Sequence, residues 1–141
     1  MSNPATGYTE EEATSGTEAQ LPAIDTWPNQ YLNYRIKITN PEYTSICPKT
    51  GLPDFGTITI RYQPHELCLE LKSLKLYFLA YRNLGIFYEN AVNRMLKDLV
   101  AACHPVWLEV QGDFTTRGGL SASVTARHDS EPARDQAKIQ A

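Results

Sequence analysis

The residues best suited to covalent chemistry lie in one short run, Ser45-Ile46-Cys47-Pro48-Lys49-Thr50-Gly51-Leu52-Pro53-Asp54-Phe55. Its two prolines and glycine predict a stiff loop with a defined shape. A thiol on such a loop is held ready to attack an electrophilic carbon. The reactive form is the thiolate, which needs positive charge or hydrogen-bond donors around it. Lys49 is one candidate source of that charge, and Asp54 is placed to move a proton to or from a reacting nitrogen. The competing reading makes Cys47 a small buried filler and Asp54 a turn cap. Free cysteines more often have that fate, so from the run alone both readings stay open.

Three further groups have chemical potential. Lys72 and Lys75 are spaced i, i+3 in Glu70-Leu71-Lys72-Ser73-Leu74-Lys75-Leu76-Tyr77, on one face of a predicted helix. Two cations near a helix start oppose the macrodipole unless an anion such as a phosphate binds there; a solvated basic face is the plainer alternative. Glu89, in Tyr88-Glu89-Asn90, opens a second predicted helix. It either caps that helix or accepts a pair of N–H bonds from a guanine-like edge. Arg117-Gly118-Gly119 reads as a hairpin turn with a phosphate contact as its functional alternative. His65, His104 and His128 lack ligand spacing, and the cysteines at 47, 68 and 103 form an odd set without CxxC. Neither a metal site nor a disulfide framework is expected.

The elements that position these groups follow from periodicity. Leu32, Tyr34, Ile36 and Ile38 alternate with polar residues, and Phe55 to Tyr62 is rich in β-branched and aromatic residues; both predict strands. Leu74, Tyr77, Phe78 and Tyr81, then Val92, Met95, Leu96, Leu99, Val100 and Cys103, follow helical spacing, with Pro105 as the stop. Val106, Leu108, Val110, Phe114 and Leu120, Ala122, Val124, Ala126 predict two more strands joined at Thr115 to Gly119. The order ββααββ predicts an α+β fold, an antiparallel sheet with two helices on one face. So small a sheet has two open edges, which other subunits could close.

At 141 residues with 42% hydrophobic and 21% charged side chains, the chain has room for one ordinary globular domain. Residues 1 to 25, acidic and poor in large apolar groups, are expected to be a disordered tail; 26 to 128 form the domain, and 129 to 141 a flexible end. All five acids of the first 30 residues lack a basic neighbour there, so the rest carries 13 basic and 11 acidic side chains. That body is too weakly cationic for nucleic-acid binding. With no apolar run of membrane length and no basic-then-apolar leader, a cytoplasmic protein is expected.

The octet ELKSLKLY, Glu70 to Tyr77, resembles the signature of the NADPH-dependent 7-cyano-7-deazaguanine reductases, the QueF family, at every position. CPKTGLPDFGTI (Cys47 to Ile58) resembles the catalytic loop of that family, and FTTRGG (Phe114 to Gly119) its late FTPRGG segment. The likeness spans roughly residues 30 to 127 and resembles the single-module branch. It implies the tunnelling fold (T-fold), assembled into rings, as a decamer of two pentamers with active sites at subunit interfaces.

The resemblance further implies reduction of the nitrile of 7-cyano-7-deazaguanine to the aminomethyl product by NADPH, in queuosine biosynthesis for tRNA. In that reading Cys47 forms a thioimide, Asp54 is the acid, and Glu89 holds the deazaguanine edge. Leu69, Glu70 and Leu71 line the substrate pocket. Lys72 and Lys75 belong to the NADPH signature, and Arg117 is a phosphate contact. Tyr88 stands where many members have His, as a substrate contact, and Thr116 replaces their Pro. The alternatives are a QueF-like amidinotransferase, which uses no nicotinamide, and a non-catalytic purine- or pterin-binding T-fold protein.

Overall fold

The computed structural model describes residues 7–130 and the backbone of Ser2–Asn3. In chain order the elements are β1 (Ser2–Asn3), β2 (Tyr8–Thr9), α1 (Glu10–Thr14), β3 (Thr26–Pro28), β4 (Ile36–Ile46), β5 (Pro53–Gln63) and β6 (Leu67–Leu69). They continue with α2 (Leu71–Leu79), a 3-10 turn (Ala80–Asn83), α3 (Tyr88–Cys103), β7 (Trp107–Arg117) and β8 (Leu120–Asp129). The four long strands form one antiparallel sheet in the order β4-β5-β7-β8, and β3 pairs with β6 as a separate ribbon. This is the expected ββααββ order, with β4 and β8 as the two edges.

One sheet face is apolar because strand alternation puts Ile60 and Tyr62 of β5 in register with Val110 and Leu108 of β7 and with Ile38 and Ile36 of β4, and Ile58 on the same face opposite Gly112. The helices cover that face. Leu74, Tyr77 and Phe78 of α2 and Val92, Met95, Leu99 and Cys103 of α3 are buried in the same core. The opposite face carries Arg61, Glu109 and Arg127, with Arg61–Glu109 and Arg127–Glu109 ion pairs at 3.4 and 3.8 Å. α3 ends where expected, before Pro105, with His104 in the left-handed region at φ 44°.

Three boundaries differ from expectation. The first strand does not include Leu32 and Tyr34, because Asn33 adopts φ 59° and breaks the extended run. It continues instead through Pro41 to Ile46, past an irregularity in pairing between Asn40 and Tyr43. A proline lacking an N–H is tolerated there because β4 is an edge strand. The loop around Cys47 is correspondingly tighter. It turns over between Ile46 and Pro53, which face each other, with Cys47 N–H donating to the Leu52 carbonyl at 2.9 Å. The late hairpin turns through Gly118 and Gly119, both at positive φ, with Arg117 opposite Leu120, as a two-residue turn requires.

The larger difference is the N-terminal stretch. Instead of a disordered tail, residues 7–25 hold α1, whose Thr9 and Glu12 form a reciprocal cap, and then run along the body. Ser15 Oγ donates to the Gly85 carbonyl at 2.6 Å, and Arg94 donates to the carbonyls of Gly16, Thr17 and Ala19 at 3.3, 3.0 and 2.7 Å. Leu21 and Ile24 pack on the core. Composition argued for disorder, but this segment is fastened mainly through its own backbone carbonyls, which composition does not register. At the other end β8 reaches Asp129, and the remainder of the expected flexible end, 131–141, lies outside the described residues.

Candidate active site

β4 delivers Cys47 to its place. The last residue of that strand, Ile46, donates to the Leu84 carbonyl and accepts from Ile86 N–H, both at 3.0 Å, so the chain leading into α3 is laced alongside. Cys47, one residue on, therefore meets Phe87, Tyr88 and Glu89 at the start of α3. Asp54 is the second residue of β5, in register opposite Ser45. Cys47, Asp54, Tyr88, Glu89 and Arg117 all line one cavity of about 600 Å³.

The electrostatics of the pair are asymmetric. Partial burial pushes the Cys47 thiol up. The Thr50 side chain and the backbone N–H groups of Thr50 and Lys49 outweigh this by hydrogen-bonding the sulfur, so the thiol lies below its ordinary value. The Lys49 ammonium does not serve the sulfur: it donates to the Gly7 carbonyl and sits 5.2 Å from the Tyr8 ring centre. Asp54 is only 7% exposed. Burial raises its pKa, the Arg117 guanidinium pulls it back, Glu89 adds to the rise, and the net is upward. A carboxyl so tuned holds a proton more readily than an ordinary aspartate.

Arg117, expected at a phosphate, is turned into the site. Its Nη1 meets Asp54 Oδ1 at 2.5 Å and its Nη2 the Pro53 carbonyl at 3.2 Å. The Tyr88 ring stacks on Phe114, with centroids 4.2 Å apart and planes 18° from parallel. Phe114 lies over Gly56 and Gly112, where an added Cβ would come within 2.7 and 2.6 Å of its ring. These two glycines are thus a shelf for the aromatic stack. Glu89, exposed at the first turn of α3, makes no hydrogen bond or ion pair through its carboxylate among the described residues.

The remaining candidates sit elsewhere. Leu69 is buried in the core, and its N–H donates to Tyr62 Oη at 2.9 Å. Glu70 caps α2, accepting from the N–H groups of Lys72 and Ser73 at 2.9 and 2.6 Å. Leu71 and Lys75 line a different cavity, of about 680 Å³, between α2 and the irregular stretch of β4, where Arg82 joins them. Lys72 is exposed beside it. Thr50, Phe87, Asn90, Ala13 and Tyr8 were missed by sequence reasoning. Thr50 had a signal, a hydroxyl three residues after the thiol within a tight turn; the others are brought in only by tertiary packing.

The fold and the site together define a class: an α+β protein of the tunnelling fold with a thiol and a buried carboxyl facing one cavity. A solved structure, the apo form of an archaeosine synthase QueF-Like, superposes with a TM-score of 0.62 over 74% of this chain and 100% of its own, at 22% identity, which speaks for the fold alone. The family profile described as QueF-like protein matches residues 53–133. An NADPH-dependent 7-cyano-7-deazaguanine reductase of Elusimicrobium minutum is 54% identical over 93% of this chain and 100% of its own length. The reductase so named from Chlorobium phaeovibrioides is 57% identical over 76% and 90%. The chain belongs to the QueF family.

Proposed function

We propose that this protein is an NADPH-dependent nitrile reductase that converts 7-cyano-7-deazaguanine into 7-aminomethyl-7-deazaguanine in the cytoplasm. The observation that carries it is the joint placement of Cys47, its thiol lowered by hydrogen bonds, and Asp54, its carboxyl raised by burial, on one cavity. The names of the relatives supply the substrate.

The chemistry follows from the two groups. Cys47 sulfur bonds to the nitrile carbon as one C–N π bond opens, and the nitrogen takes a proton relayed from the thiol through Asp54. The product is a thioimide on Cys47. NADPH supplies hydride. Once the thioimide carbon is reduced, the C–S bond breaks and one N–H proton passes to the leaving sulfur, which returns the thiol and leaves an imine for the second reduction. Each reduction consumes one further proton, and Asp54 is the group at hand to deliver it. The unpaired Glu89 carboxylate can accept two N–H bonds from the amino-pyrimidinone edge, and the Tyr88–Phe114 stack offers an aromatic wall.

A dinucleotide needs cations for its phosphates and apolar surface for its rings. Lys75 and Arg82 with Leu71, Phe78 and Leu79 offer both at the α2 cavity, and Lys72 is exposed on the same helix. That cavity is not the one holding Cys47, so in our reading assembly brings the two together. Exposed Leu71, Leu76 and Leu79 on α2 would be covered in a homo-oligomer, a decamer of two pentamers. In that arrangement Glu70 and Leu71 approach the substrate across the interface while Leu69 anchors them in the core, and Arg117 serves Asp54 rather than a phosphate. No helix among the described residues is long and apolar enough to cross a membrane.

Loss of nicotinamide absorbance on mixing protein, NADPH and nitrile tests the reading, with about two NADPH used per nitrile expected. Cys47→Ala should abolish it, and Asp54→Asn should slow it at least about tenfold. A covalent adduct without NADPH loss would indicate a transferase instead.

A further inference from the structure

The N-terminal stretch has no part in the chemistry above, yet it is fastened over the catalytic cavity at several independent points. Tyr8 and Ala13 line that cavity beside Cys47, Asp54 and Glu89. The Tyr8 ring meets Phe87 edge-on, with centroids 5.7 Å apart and planes 62° from parallel, and the Lys49 ammonium lies against its ring. Lys49 Nζ also donates to the Gly7 carbonyl. Asn90, in the first turn of α3, donates to the Ala13 carbonyl at 2.8 Å. Behind this, Arg94 clasps three carbonyls of residues 16 to 19 while its Nε holds Asp98 at 2.8 Å.

We propose that residues 7 to 19 form a strap that walls the catalytic cavity, and that Tyr8 is a positioning residue for the flat ring system of the substrate. The inference rests on the reading of the site as one that binds a flat bicyclic nitrile. An edge-to-face aromatic pair makes two walls at an angle, and Tyr8 with Phe87 forms such a corner beside the nucleophile. A planar heterocycle laid against one ring meets the other at its edge, which fixes its rotation over Cys47. Lys49 contributes by holding Tyr8 in place, so its cation acts on the strap and not on the sulfur. Arg94 is the clasp: its guanidinium fork satisfies carbonyls that a lysine ammonium could not reach together.

Two measurements on the full chain test this. In the NADPH assay, Tyr8→Ala should raise KM for the nitrile about tenfold, in line with the value of one aromatic stack, with kcat changed far less. Tyr8→Phe, which keeps the ring, should recover the affinity. Separately, the rate at which iodoacetamide alkylates Cys47 should rise severalfold in Tyr8→Ala and in Arg94→Lys, which keeps the charge facing Asp98. If the protein consumed no NADPH with this nitrile, the functional reading would fall and the alkylation rates alone would judge the strap. A KM within twofold of the parent, or unchanged alkylation in both variants, overturns the inference.

Discussion

The Cys47 thiol is lowered by a tight turn rather than by a nearby cation. The hydroxyl of Thr50 and the N–H groups of Thr50 and Lys49 converge on the sulfur, which stabilises the thiolate as donors in any turn-shaped anion nest do. Thr50→Val should therefore raise the thiol pKa, and alkylation of Cys47 near neutral pH should slow severalfold while the rate at high pH stays the same. Asp54 offers a sharper test. If Cys47 and Asp54 act as proposed, with one proton shared between them in the free enzyme, kcat/KM should follow a bell. Asp54 should then govern the acid limb, with activity falling as pH drops and the carboxylate takes up a second proton for the pair. Glu89 raises the pKa of Asp54 and Arg117 lowers it. Glu89→Gln should move the acid limb to lower pH as well as raise KM, and Arg117→Gln should move it to higher pH. Shifts of equal sign in the two variants would contradict the assignment of that limb.

Among the elements, α2 shows how one residue serves two levels of structure. Glu70, read from the family signature as part of the substrate pocket, is the N-cap of α2 and takes the N–H bonds of Lys72 and Ser73. Those two backbone bonds, the stronger effect coming from Ser73 and the lesser from Lys72, hold its carboxyl below the ordinary value of 4.5. A depressed folded pKa means stability that is complete above the ordinary carboxylate range and lost as pH falls through the lowered value. Glu70→Gln should thus lower Tm at neutral pH, and the difference from the parent should vanish in acid, as thermal melts at both pH values would show. The capping bonds also explain why Lys72 and Lys75 are tolerated at this helix start: Glu70 already offsets their clash with the helix dipole. The β4–β5 hairpin is the second decisive element, since its register sets Ser45 against Asp54 and places Cys47 at the mouth of the turn.

At the scale of the whole molecule, the isolated chain leaves apolar surface uncovered. Leu71, Leu76 and Leu79 on α2, Phe55 on β5 and Leu120 at the start of β8 are all more than half-exposed except Leu79, at 44%. The edge strands β4 and β8 leave backbone groups unpaired. Sedimentation should accordingly give a mass several times 15.8 kDa. A charge placed in the apolar stripe, Leu79→Glu, should dissociate the assembly and remove nitrile reduction while leaving Cys47 open to alkylation. A fully active monomer would refute the view that the nucleophile cavity and the cationic α2 cavity are completed by different subunits.

Alternation in Val106 to Ala126 and the three-four spacing of Leu74 to Cys103 were enough to read the ββααββ order, because periodicity records which face of an element is buried. The three blocks around Cys47, Glu70 and Arg117 were enough to recognise the family and, through it, the candidate groups. What periodicity does not record is the direction of a polar bond. Whether Lys49 serves the sulfur or the Gly7 carbonyl, and whether Arg117 faces a phosphate or Asp54, depends on which acceptor the folded backbone brings nearest. The same holds for residues 7 to 25, whose composition reads as disorder, yet whose carbonyls find Arg94 and Asn90 only once α3 is packed. The sequence by itself determined the ββααββ order of the main sheet and helices, and the reactive residue types. Only the tertiary structure decided their partners, because those pairings join residues far apart in the chain that nothing but the packed core holds together.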